Sequence, residues 1–119
     1  MTARIIAKTD AIVVLVTAKN ESECARIARH LLERKLIACA NLVPRVRSLY
    51  TWQGKIADEK ECLMLLKSRR GSFAKLEAEI RKIHSYSVPE IITLPIGAGS
   101  AAYLKWIDES VTAEKRLKK

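Results

Sequence analysis

Two kinds of apolar pattern along the chain predict its strands and its first helix. Residues 11–18 (AIVVLVTA) form a short, β-branched run that is typical of a strand buried on both faces. Asn20 or Ser22 then begins a helix whose apolar residues recur every three or four positions, so one stripe packs on the sheet. The run CLMLL at residues 62–66 does not alternate, which again predicts a strand covered on both faces.

A long hairpin is predicted in the middle of the chain. Residues 38–50 and 56–68 are its arms, and they flank a turn around Gln53 and Gly54. Pro44 cannot donate a ladder hydrogen bond, so the first arm should be an edge strand or carry a bulge at this point. At about 3.3 Å per residue each arm would reach roughly 40 Å, which is longer than a compact domain of this size is wide. The hairpin should therefore project and contact another subunit.

The rest of the pattern predicts a helix, a strand and a helix. Ser72 should cap the second helix, Pro89 precedes a strand at residues 90–94, and Ser100 begins the last helix. The complete order is that of an α+β, ferredoxin-like βαββαβ sandwich with an additional C-terminal helix. The apolar positions assigned to the second and third helices are Phe73, Leu76, Ile80, Ile83, Tyr103, Trp106, Ile107 and Val111.

Length and composition predict a single domain over residues 1–119, with a core at 11–111 and a basic tail at 112–119. The 22 Lys and Arg residues exceed the 13 Asp and Glu residues by nine, which raises the question of a nucleic-acid partner. The basic residues are scattered, however, so we expect no nucleic-acid function and no membrane association. An odd number of cysteines without CxxC spacing, and no signal peptide, favour the cytoplasm.

Three residues are candidate metal ligands. His84 lies in the loop after the second helix, Cys39 lies on the first hairpin arm, and Glu90 begins a strand. Each has a plainer interpretation: a histidine at a helix C-terminus, a small buried hydrophobe and a solvated strand end, respectively. Tyr86 and Tyr103 are candidates for lining a cleft, and an exposed Trp52 at the hairpin tip favours a subunit contact.

No motif of nucleophilic, zinc-protease or phosphate-binding enzymes is present, so an enzymatic function is not expected. An RNA-recognition domain shares the predicted strand order, but it stacks bases on sheet aromatics, and the only phenylalanine here is in a helix. A trimeric signalling module that binds a small anionic metabolite between its subunits remains an alternative.

Several long motifs resemble the CutA divalent-cation tolerance proteins. The resemblance covers most of the chain and is carried by KLIACANLVP at residues 35–44, SLYTWQGKI at 48–56, the pattern H-x-Y-x-x-P-E-I-I at 84–92, and YLKWI at 103–107. It implies a homotrimer with an architecture similar to the PII signalling proteins. It also implies a role in the response to copper or other divalent metal ions.

The resemblance also implies ligand positions, and this chain departs from two of them. The family's histidine motif usually continues with proline and an acid, whereas here His84 is followed by Ser85, Tyr86 and Ser87. A cysteine that some members carry near the end of the first strand falls at Thr17. His84 is then the best single candidate ligand for Cu(II) or another divalent cation, and no metal is expected to be required for folding.

Overall fold

The computed structural model describes residues 9–112; the predicted basic tail, apart from Thr112, lies outside the described residues. The strands are β1 (Ala11–Ala18), β2 (Cys39–Trp52), β3 (Lys55–Arg69) and β4 (Ile91–Pro95), and the helices are α1 (Glu21–Glu33), α2 (Phe73–Ile83) and α3 (Ala101–Ser110). They form one antiparallel sheet in the order β2-β3-β1-β4. This confirms the predicted ferredoxin-like fold with an additional C-terminal helix.

The helices α1 and α2 cover one face of the sheet, and the core lies between these helices and the sheet. Val14, Val16, Met64 and Leu66 project from β1 and β3 into this layer and are completely buried. Of the two predicted caps, Asn20 is the one that caps α1, because its side chain accepts a hydrogen bond from the backbone N–H of Glu23. The cysteines Cys24 and Cys62 belong to this core, as predicted.

The prediction that β1 and β3 are covered on both faces is not met within residues 9–112 of one chain. Alternate residues of β1, such as Val13 and Leu15, are only half-buried, as are Leu63 and Leu65 of β3. The helix α3 packs on this second face only at one end, around Ala11. We call the remaining surface the open face; its residues are Val13, Leu15, Thr17, Val43, Leu63, Leu65, Ile92 and Leu94.

Pro44 produces the predicted bulge in β2, which is also an edge strand. Val43 lies opposite Leu63, but the next pair is Val46 with Glu61, so two residues of β2 face one residue of β3. Beyond the bulge the hairpin projects past the helices, and the described structure measures 48 × 37 × 24 Å. The tip turns through Gln53 and Gly54, which both have positive φ.

Three local predictions need correction. The side chain of Ser72 makes no capping hydrogen bond, because a 3₁₀ turn at Arg70–Ser72 precedes α2. In α3 the buried positions are Leu104 and Ile107, followed by Val111 directly after the helix, whereas Tyr103 and Trp106 are exposed. Cys39 is only half-buried, because it begins an edge strand that has a neighbour on one side.

No helix within residues 9–112 is both long enough and apolar enough to cross a membrane.

The core predicts a sharp contrast between two adjacent leucines of α1. Leu31 is completely buried, whereas Leu32 is 41% exposed. Leu31→Ala should lower the free energy of unfolding by about 2–5 kcal/mol, because it leaves a cavity in the core. Leu32→Ala should cost less than about 1 kcal/mol, because its side chain is partly in water and its removal leaves no enclosed cavity. Urea unfolding at one fixed protein concentration measures both values, and equal losses would contradict the assignment of the buried helix face.

Candidate functional site

A groove of about 770 Å³ lies where the projecting hairpin meets the loop before β4. Its lining includes carboxylates, phenols and an indole, and it reaches the open face at Thr17. Four of the residues singled out from the sequence line it: Thr17, Trp52, Tyr86 and Glu90. The other lining residues are Arg47, Ser48, Leu49, Tyr50, Glu59, Glu61, Ser87 and Val88.

The bulge at Pro44 determines which β2 side chains reach the groove. Side chains alternate between the faces of a strand, so one inserted residue moves every later side chain to the other face. Beyond the bulge Ser48 lies opposite Glu59, on the face that carries Glu61. Tyr50 follows on that same face, and its hydroxyl donates a hydrogen bond of 2.9 Å to Glu59 Oε1.

The second phenol in the groove is held by a buried carboxylate. Tyr86 donates a hydrogen bond of 2.6 Å from its hydroxyl to Glu61 Oε2, and Glu61 is 7% exposed. Burial, reinforced by the hydrogen bond to Glu61, raises the pKa of Tyr86 well above its usual value. The bond to Glu59 likewise raises the pKa of Tyr50. Both phenols therefore stay protonated at neutral pH and act as donors to the two carboxylates.

The groove has an acidic lining. Its lining includes three carboxylates, Glu59, Glu61 and Glu90, and one arginine, Arg47. That arginine is already paired, because its Nε and Nη2 donate to the two carboxylate oxygens of Asp58 at 2.9 and 2.8 Å. This hydrogen bonding lowers the pKa of Asp58. The remaining charge favours a cationic ligand and disfavours the small anionic metabolite considered above.

His84 supports the loop that carries Tyr86. Its side chain is fully buried, and its Nε2 lies 2.9 Å from the carbonyl oxygen of Thr17. Its Nδ1 lies 3.0 Å from the backbone nitrogen of Tyr86 and accepts a hydrogen bond from it. This pattern assigns the proton to Nε2 of a neutral ring and leaves neither nitrogen free to bind a metal.

Glu23 of α1 holds the same loop from the other side. Its side chain is buried and accepts hydrogen bonds of 2.8 and 2.9 Å from the backbone N–H and the hydroxyl of Ser85. Burial alone would raise the pKa of Glu23, but the two hydrogen bonds from Ser85 lower it overall. Glu23 is therefore an ionised, buried anchor for the loop.

The three predicted metal ligands are not gathered at one place. Glu90 lines the groove, whereas His84 lies beneath it and bonds to Thr17. Cys39 lies toward the other end of the sheet, with its Sγ 3.6 Å from both the Tyr103 hydroxyl and Lys67 Nζ. Tyr103 is therefore not part of the groove. Within residues 9–112, no group of three or more His, Cys, Asp and Glu side chains could hold a metal ion.

Sequence reasoning missed Tyr50, Glu59 and Glu61. Glu59 and Glu61 are two residues apart in a strand, which places them on one face, and this signal was available from the sequence. The side of the sheet on which Tyr50 lies could not be predicted, because it depends on how the bulge at Pro44 shifts the alternation of side chains along β2.

Comparison with known proteins gives one consistent family. A family model described as CutA1 divalent ion tolerance protein matches residues 12–110. The chain is 42% identical over 98 residues to the divalent-cation tolerance protein CutA of Thermus thermophilus, and the match covers 82% of this chain and 95% of that protein. It is 40% identical to Protein CutA of Homo sapiens over 77% of this chain, although it spans only 51% of the human protein.

Solved structures of the same family have the same fold. The divalent cation tolerance protein (Cut A1) from Thermus thermophilus matches with a TM-score of 0.84 and 40% identity, over 86% of this chain and 99% of that one. CutA1 from Oryza sativa matches with a TM-score of 0.83 and 38% identity, over 86% and 94% of the two chains.

The buried Glu23 predicts a specific loss of stability in acid. The pKa of Glu23 is lower in the folded chain than in the unfolded chain. Its contribution to the free energy of unfolding is therefore complete at a pH above the pKa of the unfolded chain. It is lost as the pH falls through the pKa of the folded chain. Glu23→Gln should therefore reduce the fall in unfolding free energy between about pH 5 and pH 3. Urea titrations across this range measure it. Glu109→Gln, at an exposed site on α3, is the control, and equal slopes for Glu23→Gln and the unmodified protein would contradict the anchor role.

Proposed function

The chain belongs to the CutA1 divalent ion tolerance family, and on this basis we propose that it is a homotrimeric, non-enzymatic protein that binds divalent metal ions and acts in the response to them. The observation that carries the proposal is the acidic groove beside the open face. The groove supplies ligands for a cation, and the open face supplies the surface through which subunits associate. The three cysteines are unpaired, which supports a location in the reducing cytoplasm.

The open face is the main argument for assembly. Two central strands are apolar on both faces, yet within residues 9–112 the helices cover one face and only one end of the other, so a row of aliphatic side chains is left partly in contact with water. Ile92 and Leu94 are about half exposed on this face. A neighbouring subunit that packs here would remove the exposed apolar surface and would protect the edge strands. Closed cyclic symmetry gives each subunit the same environment, and three is the number that the family resemblance implies.

The hairpin tip supports the same proposal. Trp52 is 53% exposed, Leu49 61% and Ile56 79%. Such large apolar side chains on a two-stranded projection indicate that the tip packs on another molecule. A subunit that receives this tip would also close the groove, because Trp52 and Leu49 line it.

The donor set of the groove defines the type of metal ion that it suits. Carboxylates and hydroxyls are hard oxygen ligands, which suit Mn²⁺, Mg²⁺ and Ca²⁺, while Cu²⁺ binds a given oxygen or nitrogen site more tightly than other first-row ions. Glu59 and Glu61, which lie on one face of β3, are the proposed ligands from this chain. One chain does not complete the coordination within residues 9–112, so groups brought in by neighbouring subunits would complete it. His84 then orients Tyr86 and does not bind the ion.

The trimer is tested by mass. Light scattering should report about 40 kDa, three times the 13.4 kDa chain, at micromolar concentration. Trp52→Glu should shift the equilibrium toward smaller species, because it places a charge in the buried contact of the hairpin tip. Leu32→Glu, an exposed position on the outer face of α1, is the matched control and should leave the mass unchanged. A monodisperse monomer in the unmodified protein would refute the assembly.

The metal site is tested by titration calorimetry with Mn(II) and with Cu(II). Glu61→Gln should weaken binding of both ions by at least about tenfold, because the neutral amide removes a charged oxygen ligand while keeping the side-chain shape. Glu109→Gln on exposed α3 should have no effect.

A cysteine variant separates the proposed oxygen site from a thiolate site. Cys39→Ser should leave the affinity for Cu(II) unchanged, since Cys39 lies outside the groove. If Cu(II) binding is lost in Cys39→Ser and kept in Glu61→Gln, the assignment of the groove as the metal site is wrong.

A further inference from the structure

Three glutamates are buried in the described part of the chain, and they differ in their partners. Glu23 Oε2 lies 3.6 Å from Arg26 Nη2. Glu79 Oε2 lies 3.2 Å from Lys82 Nζ. Glu61 is 7% exposed and lines the groove, yet it makes no ion pair within residues 9–112. Buried carboxylates are normally paired with a cation, so Glu61 indicates a positively charged ligand in the groove.

Glu61 and its neighbour on the same face of β3 keep acceptor capacity for such a ligand. Among residues 9–112, each carboxylate receives one side-chain hydrogen bond, and the donor is a neutral phenol. Tyr86 bonds to Oε2 of Glu61, and Tyr50 bonds to Oε1 of Glu59. The second oxygen of each carboxylate remains an acceptor, and so does each phenol oxygen, because a hydroxyl both donates and accepts. The site therefore suits a ligand that brings several N–H donors.

The aromatic lining and the size of the groove favour an organic cation. Tyr50 and Trp52 are alternate residues of β2, so both rings lie on one face of the hairpin, and Tyr86 adds a third ring from the loop. Aromatic faces attract ammonium groups and also cover apolar stems. A single metal ion uses neither rings nor a groove of about 770 Å³. Small organic ligands typically occupy pockets of roughly 300–1,000 Å³.

We propose that the groove binds a linear alkyl polyamine. Glu59 and Glu61 are alternate residues of one strand, so their Cα atoms are about 6.6 Å apart, and ammonium groups joined by a short methylene chain would reach both carboxylates. The methylene chain would lie against the rings of Tyr50 and Trp52. This function does not require metal binding, although a polyamine and a metal ion would compete for the same two carboxylates.

The proposal is tested by titration calorimetry of the full chain, freed of metal by a chelator and dialysed, with spermidine at constant ionic strength. The formal net charge of the chain is +9, so a polycation is repelled overall, and saturable binding reports a local acidic site. Fully acetylated spermidine has the same backbone without the charges and should give no saturable heat. This comparison uses the unmodified protein, so it does not depend on how a variant folds.

Two charge variants locate the site. Glu61→Gln should weaken spermidine binding by at least about tenfold, because a charge-assisted hydrogen bond is lost while the shape of the side chain is kept. Glu33→Gln removes an exposed charge at the end of α1, outside the groove, and should leave the affinity unchanged. Equal losses in the two variants would overturn the proposal, because they indicate a general charge effect.

A second pair of variants tests the role of the rings. Tyr50→Phe removes a hydroxyl and keeps the ring, whereas Tyr50→Leu removes both. The leucine variant should bind spermidine roughly threefold more weakly than the phenylalanine variant, because a partly exposed ring contributes about 0.5–1 kcal/mol to the binding of an ammonium group. Equal affinities of these two variants would overturn the placement of the polyamine against the rings.

The same protein sample separates this proposal from the metal site. Saturable binding of spermidine supports the polyamine site, whether or not Mn(II) binds. If Mn(II) binds and spermidine gives no saturable heat, the polyamine proposal is overturned and the metal site stands. If neither cation binds, both proposals are overturned, because a cation of the protein itself then occupies the carboxylates.

Discussion

The structure depends on the need to cover a sheet whose central strands are apolar on both faces. The described chain provides two helices for one face and, for the other, only α3, which packs at one end around Ala11. Residues 9–112 leave the rest of the open face uncovered, so a further surface that packs on it would gain its hydrophobic free energy. The monomer fold and the proposed trimer are therefore two results of one constraint: β1 and β3 have a composition suited to a sheet that is covered on both sides.

The bulge at Pro44 converts this scaffold into a site. A regular β2 would have directed Tyr50 and Trp52 away from the carboxylates of β3, because side chains alternate strictly along a strand. The inserted residue reverses the alternation and places both aromatic side chains on the face of Glu59 and Glu61. Proline is suited to this position because β2 is an edge strand, where a missing N–H leaves no central ladder incomplete. The same residue thus limits strand pairing and builds the groove.

The fold could be predicted from the sequence to a large extent, because hydrophobic periodicity, caps and glycine turns are local signals. The strand at residues 11–18, the cap at Asn20 and the bulge near Pro44 all follow from a few neighbouring residues. The errors arise where tertiary contacts decide. In α3 the aromatic residues were placed inward, but Leu104 fills the buried position and Trp106 faces outward. The sequence predicts the groove only in part. Its lining depends on the bulge in β2, which reverses the side of the sheet that later side chains occupy, and the residue types do not reveal this reversal.

His84 illustrates why a residue type in a matching motif does not define its role. The same histidine could bind a metal if a ring nitrogen pointed into the groove, but here both nitrogens are used within the fold, one on Thr17 and one on Tyr86. The threonine offers no thiolate at this point, and its carbonyl oxygen holds the ring in place. The imidazole is then needed for its geometry: it fixes the backbone of Tyr86, Tyr86 fixes Glu61, and Glu61 faces the groove. In the proposed function, the motif that suggests a nitrogen and sulfur site instead positions the side chains of the proposed oxygen site one layer further out.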